Sequence, residues 1–265
     1  MSEMPLSEAL RRSLERAYSQ FYKNMHTMFQ NYFRLMDTTI WPLTLLMAFA
    51  FLAKALNDGP DVLMLVILGM MGWQIVQQTQ MGMATCYMDE FWSNSLTHVF
   101  VTPIRLGEFL LGGIMTGLFK CAIVLALFFA AASLFYGMHI PDPAGFMAAL
   151  FFLFIFGISI GMLNLALIFP RGENAIFAVW TIPDIFVVFS GVYYPLGLLP
   201  EPLHFLAQLL PSSHAFNLIK ETLGMAKTDW VALIGLSAAW LLGSWLLLQN
   251  SFHYAKKSGK LVRVA

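Results

Sequence analysis

Six long apolar segments decide what this chain can become, because a hydrocarbon core about 30 Å thick is crossed by roughly 20 mostly apolar residues in a helix. They lie at 37–56, 62–82, 109–136, 146–169, 175–198 and 230–248. Backbone groups in lipid must be satisfied within the segment, so each apolar run reads as a spanning helix. The reading is an all-α polytopic membrane protein with six transmembrane helices. Composition agrees: 58% of residues are hydrophobic and 11% are charged, against about 25% charged in soluble domains. Fifteen basic and fifteen acidic side chains leave no excess that would call for a nucleic acid partner. Cys86 and Cys121 supply neither a disulfide framework nor a cluster with metal-ligand spacing, so no cofactor is expected.

An even number of spans puts both tails on one side. If that side is cytoplasmic, the cytoplasm holds Arg11, Arg12, Arg16, Lys23, Arg34, Arg105, Arg171, Lys256, Lys257, Lys260 and Arg263, while the outside keeps Lys54, Lys220 and Lys227. This is the bias of the positive-inside rule. The expectation is a multi-pass protein of the cytoplasmic (inner) membrane with both termini cytoplasmic. The first apolar run begins after some 36 residues, too late for a cleaved signal peptide, and is expected to act as an uncleaved signal anchor.

Residues 1–36 read as a separate amphipathic interfacial helix, and 37–265 as the permease domain. Leu6, Leu10, Leu14, Tyr18, Phe21, Met25, Phe29, Phe33 and Met36 recur at steps of three or four, with Arg11, Arg12, Arg16 and Lys23 between them. Such a helix lies in the headgroup plane with its basic side near anionic lipid, or packs beneath the bundle. After the fifth run, Pro195, Pro200, Pro202 and Pro211 break the chain into apolar pieces too short to cross, 203–210 and 214–225. These read as an extracellular re-entrant helical hairpin, with Ser213 capping its second helix.

Between the second and third runs, Met88, Phe91, Trp92, Leu96, Val99 and Phe100 keep helical spacing, and Pro103 ends the pattern. A short cytoplasmic helix over 90–100 suits docking into a partner's groove, or lies unpartnered at the interface. Here Glu90, Ser95-Leu96, Val101-Thr102-Pro103-Ile104 and Glu108 resemble the loop of the type-2 permease family of ATP-binding-cassette exporters. In that family a Glu, three residues, Gly-Thr-Leu, then Thr-Pro-Val and a further Glu lead into the third span. This chain has Asn94 where Gly is usual and Thr97 where an acid is common. Gly191-Val192-Tyr193-Tyr194-Pro195, Leu199-Pro200 and Leu210-Pro211 are similar to the family's landmarks after span five, with Leu210 replacing Asn. The resemblance implies a permease half that pairs with a second copy as a homodimer and with two copies of a separate ABC ATPase subunit. It also implies a coupling helix in which Met88, Glu90, Phe91, Trp92, Leu96, Pro103 and Glu108 meet that ATPase. Independently, the chain contains no Gly-x4-Gly-Lys-Ser/Thr phosphate cradle, so it is not itself the energy-transducing enzyme. The implied function is export of an amphipathic or polymeric substrate such as a lipid-linked glycan, lipid or drug.

Two other classes have some footing. Gly157-Ile158-Ser159-Ile160-Gly161 matches the nucleophile-elbow pattern of a hydrolase, with His98, His139, His204 and His214 as bases. That elbow needs a strand-to-helix turn, whereas glycines four apart in an apolar helix are a close-packing pattern. An ion-coupled transporter or channel draws support from Lys120 and Asp184, charges inside the third and fifth spans. Counted at 1.5 Å per residue from the cytoplasmic ends, they lie roughly 16 and 15 Å deep. At equal depth they form a candidate charge pair, as a moving contact, a fixed structural pair, or two groups lining a wet cavity. Gln74, Gln77 and Gln78 share one face of span two and serve as interhelical glue or as part of a substrate route. Tyr193, Tyr194 and Pro195 are candidates for an outer gate; together with Trp180 the tyrosines also fit interfacial anchoring or sugar stacking.

Overall fold

The computed structural model describes residues 6–55, 59–138, 140–194 and 196–259, and these are built from helices and short connections. In chain order the helices are α1 (Leu6–Gln30), α2 (Tyr32–Ala55), α3 (Gly59–Trp92), α4 (Leu96–Val101), α5 (Leu106–Tyr136), α6 (Pro143–Arg171), α7 (Ala178–Ser190), α8 (Glu201–Gln208), α9 (Pro211–Thr222) and α10 (Trp230–Lys257). Among the described residues, α2, α3, α5, α6 and α10 are long and apolar enough to cross a membrane. The chain is a multi-pass membrane protein.

The ends follow local chemistry. Asp142 accepts from the amides of Ala144 and Gly145, and Asp229 from those of Val231 and Ala232, so α6 and α10 start on carboxylate caps. Gly137, at φ 58°, closes α5 in the left-handed conformation, its own amide bonded to the Ser133 carbonyl at 3.0 Å. Asn31 separates α1 from α2, its Oδ1 accepting from the amides of Phe33 and Arg34 at 3.1 and 3.3 Å. The break therefore falls at residue 31 and not at 36, because this asparagine starts a new helix before the apolar run begins.

α3 is the central helix and packs against α2, α5, α6, α7 and α9. Close approach is built from glycine. A Cβ on Gly82 would lie 2.4 Å from the Gly117 backbone of α5, and one on Gly157 of α6 would lie 2.8 Å from the Thr79 side chain. Gly161 likewise meets Met83, while Ser159 is buried and donates to the Ile155 carbonyl of its own helix at 3.1 Å. The Gly-x-Ser-x-Gly run is thus a helix-packing surface, as its apolar setting indicated.

The expected fifth span, 175–198, is shorter. A 3-10 turn at Gly172–Ala175 precedes α7, whose 13 residues give about 20 Å of helix. Gly191, at φ 62°, stops it, and any Cβ there would collide with Leu196. Hydropathy continues through Val192, but the backbone does not. Ser213 is not the cap of α9: Leu210 holds that position, and the Ser213 hydroxyl reaches the Phe189 carbonyl at 2.9 Å.

Candidate functional site

The connection from α3 to α5 is held by three ion pairs. α3 does not stop at the end of the apolar run but continues to Trp92; the chain then turns through Ser93–Ser95 and resumes as the six-residue α4. The expected continuous helix over 90–100 is therefore two pieces. Asn94 makes the turn with φ 54°, the left-handed conformation that Gly and Asn tolerate best. The departure from the family's glycine thus keeps the backbone geometry.

Arg34 of α2 forks onto Asp89 with Nη1 and Nη2 at 2.6 and 2.5 Å from the two carboxylate oxygens. Lys23 of α1 pairs with Glu90, which also accepts from the Ser95 hydroxyl. Arg16 of α1 grips Glu108 through Nε at 2.7 Å and Nη2 at 2.5 Å, and Ser13 adds a bond of 2.7 Å. The carboxylate beside it holds the Arg16 guanidinium above its ordinary range. Glu108 also accepts from the Arg105 amide at 2.9 Å, which closes the first turn of α5. Paired, hydrogen-bonded charges of this kind fix relative position more than they add stability.

This corrects one expectation about α1, since Arg16 and Lys23 meet protein carboxylates and not lipid. The Ala17, Gln20 and Asn24 stripe of α1 is buried, with Ala17 and Gln20 lying against Gly112 of α5; Leu10, Leu14, Tyr18, Tyr22 and Phe29 face outward. One face of that helix thus packs on the bundle, and its other face carries exposed apolar side chains.

Among the expected coupling residues, Met88, Glu90, Leu96 and Glu108 are buried within the chain, and Phe91 is half-buried beside Tyr87. Trp92 is half exposed and Val101 is 81% exposed, so the outward surface of the connection is theirs, with Pro103 in the turn that follows. Met88 packs inside because α3 continues past the apolar run and carries it into a second buried cluster, which Leu96 joins from α4.

Beside this connection lie two adjoining cavities that share Asp37, Thr38, Met81 and Trp180. One, of about 430 Å³, is lined by α2, α3 and α7 and holds Trp41, Trp73, Gln74, Gln77, Gln78, Asp184 and Tyr193. The other, of about 320 Å³, holds Asn24, Arg34, Thr85, Asp89, Trp92, Thr116 and Lys120. Along α3 they run from Met70 to Trp92, roughly 33 Å at helical rise, which matches a bilayer's hydrocarbon core.

Lys120 and Asp184 do not pair in this structure. Each lines a different cavity, and no ion pair joins them among the described residues. The wall that the two cavities share, Asp37, Thr38, Met81 and Trp180, stands between them. The glutamines divide their roles: Gln74, Gln77 and Gln78 line the larger cavity, whereas Gln80 ties three helices together. Its amide donates to the Val179 carbonyl at 3.2 Å and its carbonyl accepts from Asn164 at 2.8 Å.

At the other end of α7, Tyr193 stacks on Phe49 with centroids 5.1 Å apart, and the Tyr194 hydroxyl donates to Val188. Pro195 lies outside the described residues. Lys220 of α9, counted by sequence on the outer side within the hairpin's second helix, is buried and donates to the carbonyls of Gly191 and Tyr194 at 2.9 and 3.3 Å. Burial pushes its ammonium down to about 8.

The sequence model of the ABC-2 type transporter family matches residues 16–223, from within α1 to just past α9. The chain belongs to the ABC-2 type transporter family. A search of curated proteins found no match to it. Membership makes the chain the membrane permease part of an ABC transporter, a transport subunit associated with an ABC ATPase and not itself catalytic. In this ABC-2 permease the clamped connection and the two-cavity groove are the places where partner and cargo are to be sought.

Proposed function

We propose that this permease works as a homodimer with two ATPase copies in the cytoplasmic membrane, both termini cytoplasmic, and moves an amphipathic or polymeric substrate outward. The clamp carries the reading. Arg16–Glu108, Lys23–Glu90 and Arg34–Asp89 bind α1, α2, α3 and α5 to one short connection. A push on that connection is therefore delivered to four helices together, which is what conversion of nucleotide-dependent closure into helix motion requires. Trp92 and Val101 form the contact, since an exposed aromatic beside an apolar side chain is the composition of an interface anchor. α8 and α9 form the re-entrant hairpin that extends the short α7 toward the outer face, held by Lys220, with Tyr193 and Tyr194 at the gate.

The groove along α2, α3 and α7 is the substrate path in this reading. The test is Trp92→Ala in the assembled transporter. The variant should recover at least tenfold less ATPase on affinity purification and lose transport-coupled hydrolysis. Undiminished recovery and transport would overturn the assignment of the contact.

A further inference from the structure

The larger cavity has an unusual set of walls. Two carboxylates, Asp37 and Asp184, share it with Trp41, Trp73, Trp180 and Tyr193, and no Lys, Arg or His is among its lining residues. Among the described residues, neither carboxylate has a hydrogen bond or an ion pair. Trp73 is 4% exposed, and its indole N–H likewise has no protein partner.

Across the shared wall, Lys120 is 7% exposed and, among the described residues, makes neither a hydrogen bond nor an ion pair. Arg34 and Asp89 neutralise each other. The buried ammonium of Lys120 thus lies on one side of the shared wall, and the exposed carboxylates of Asp37 and Asp184 line the larger cavity.

Three kinds of occupant can be compared on these walls. A neutral sugar would use the rings and the Gln74, Gln77 and Gln78 amides but leave both carboxylates uncompensated. An anion would be repelled by both. A cation gains Coulombic attraction from the carboxylates and a further contribution from the faces of the indole rings, which attract ammonium groups, quaternary ones included. A volume of about 430 Å³ suits a small headgroup and the start of an alkyl chain. The exposed Ile40 and Trp41 on the outer side of α2 give that chain an apolar surface.

We infer that the cavity bounded by Asp37, Asp184, Trp41, Trp73 and Trp180 binds the amine or quaternary ammonium head of a cationic amphiphile. The inference rests on the reading that this groove is the substrate path, and it narrows the cargo to that chemical class.

The experiment uses the purified full-length chain in uncharged maltoside micelles, without ATPase. Three probes are compared: decyltrimethylammonium, its uncharged isostere with carbon in place of nitrogen, and decyl sulfate. Saturable quenching of tryptophan fluorescence is expected from the ammonium probe and not from the other two. Asp37→Asn and Asp184→Asn should each weaken that binding at least tenfold. In the wild-type chain, where folding is not in question, the ammonium probe should protect Asp37 and Asp184 from modification by dicyclohexylcarbodiimide, read by peptide mass spectrometry.

Equal binding of the isostere, preference for decyl sulfate, retained affinity in the Asn variants, or absent protection would each overturn the inference. If the ammonium probe binds and protects but leaves the assembled transporter's ATPase and transport unchanged, the cation site stands and the path reading fails. If transport of some other substrate runs through the groove with no ammonium binding, the path reading stands and the cation site fails.

Discussion

Removing the Arg34 guanidinium tests whether the clamp is a structural unit, because Asp89 would then be left in a largely enclosed site. The pair is bidentate, at 2.5 and 2.6 Å, with Arg34 32% exposed and Asp89 12% exposed. A fully buried pair broken on one side costs about 3–5 kcal/mol, while exposed pairs contribute less than about 1 kcal/mol. Partial exposure places Arg34→Met between these, at about 2 kcal/mol. By the scaling for a chain of this size that is a fall in melting temperature of about 4–8 °C. Asp89→Leu should cost about as much, since it strands the guanidinium. The double variant should recover most of the loss, because neither charge is then left alone. The assay is thermal unfolding of the four species in detergent, with coupled ATPase activity measured in the assembled transporter. Stability should return in the double variant while coupling stays impaired. Additive losses would show that the two groups do not act as a pair, and full coupling without them would remove the clamp from force transfer.

Gly82→Ala forces a Cβ to within 2.4 Å of the Gly117 backbone, which requires α3 and α5 to separate by about 1 Å and should cost about 1–3 kcal/mol; Gly243→Ala, with nothing within 4 Å, is the control, and equal melting temperatures would refute the crossing. Asn94→Gly should leave stability unchanged, whereas Asn94→Val should lose about 1–2 kcal/mol because a β-branched residue resists positive φ; a Val variant as stable as the Gly variant would refute that backbone role. Lys220 releases its proton near 8 when folded and near 10.5 when unfolded, so the unfolded chain binds more protons between those values and stability should rise with pH across them. Lys220→Met should abolish that rise, and an unchanged pH profile of melting temperature would place the titration elsewhere.

Much of the fold was legible because hydropathy and helix formation are the same requirement in lipid. Once a run of about 20 apolar residues must satisfy its own backbone, a helix follows. The expectation erred where a backbone signal overrides hydropathy. Gly191 ends α7 by its left-handed conformation although Val192 and Tyr193 continue the apolar run. α3 goes on to Trp92 although its apolar run ends near Gly82, because Tyr87 and Met88 find a second buried cluster with Phe109 and Phe169. Residue counting along a helix gives the depth of Lys120 and Asp184 and says nothing about azimuth, and within one chain the two line different cavities. The clamp was missed because its partners lie 55 to 92 residues apart, beyond any helical period. One signal for it was present in the sequence. Asp89, Glu90 and Glu108 form an acidic set around the connection, and α1 and the start of α2 carry the matching bases.

Clamp and groove share a single turn of α2. Arg34, which grips Asp89, is three residues before Asp37 and four before Thr38, and the Thr38 hydroxyl donates to the Arg34 carbonyl at 2.9 Å. Asp37 and Thr38 line both cavities, and Asp89 itself lines the smaller one. A displacement of the α3–α5 connection that carries Asp89 therefore draws on Arg34, and a rigid helical turn carries Asp37 with it. Asp37 is also on the wall between the cavities that hold Lys120 and Asp184. In the proposed transporter no separate relay is needed: the side chain that moves with the ATPase contact and the side chain that meets a cation are one turn apart.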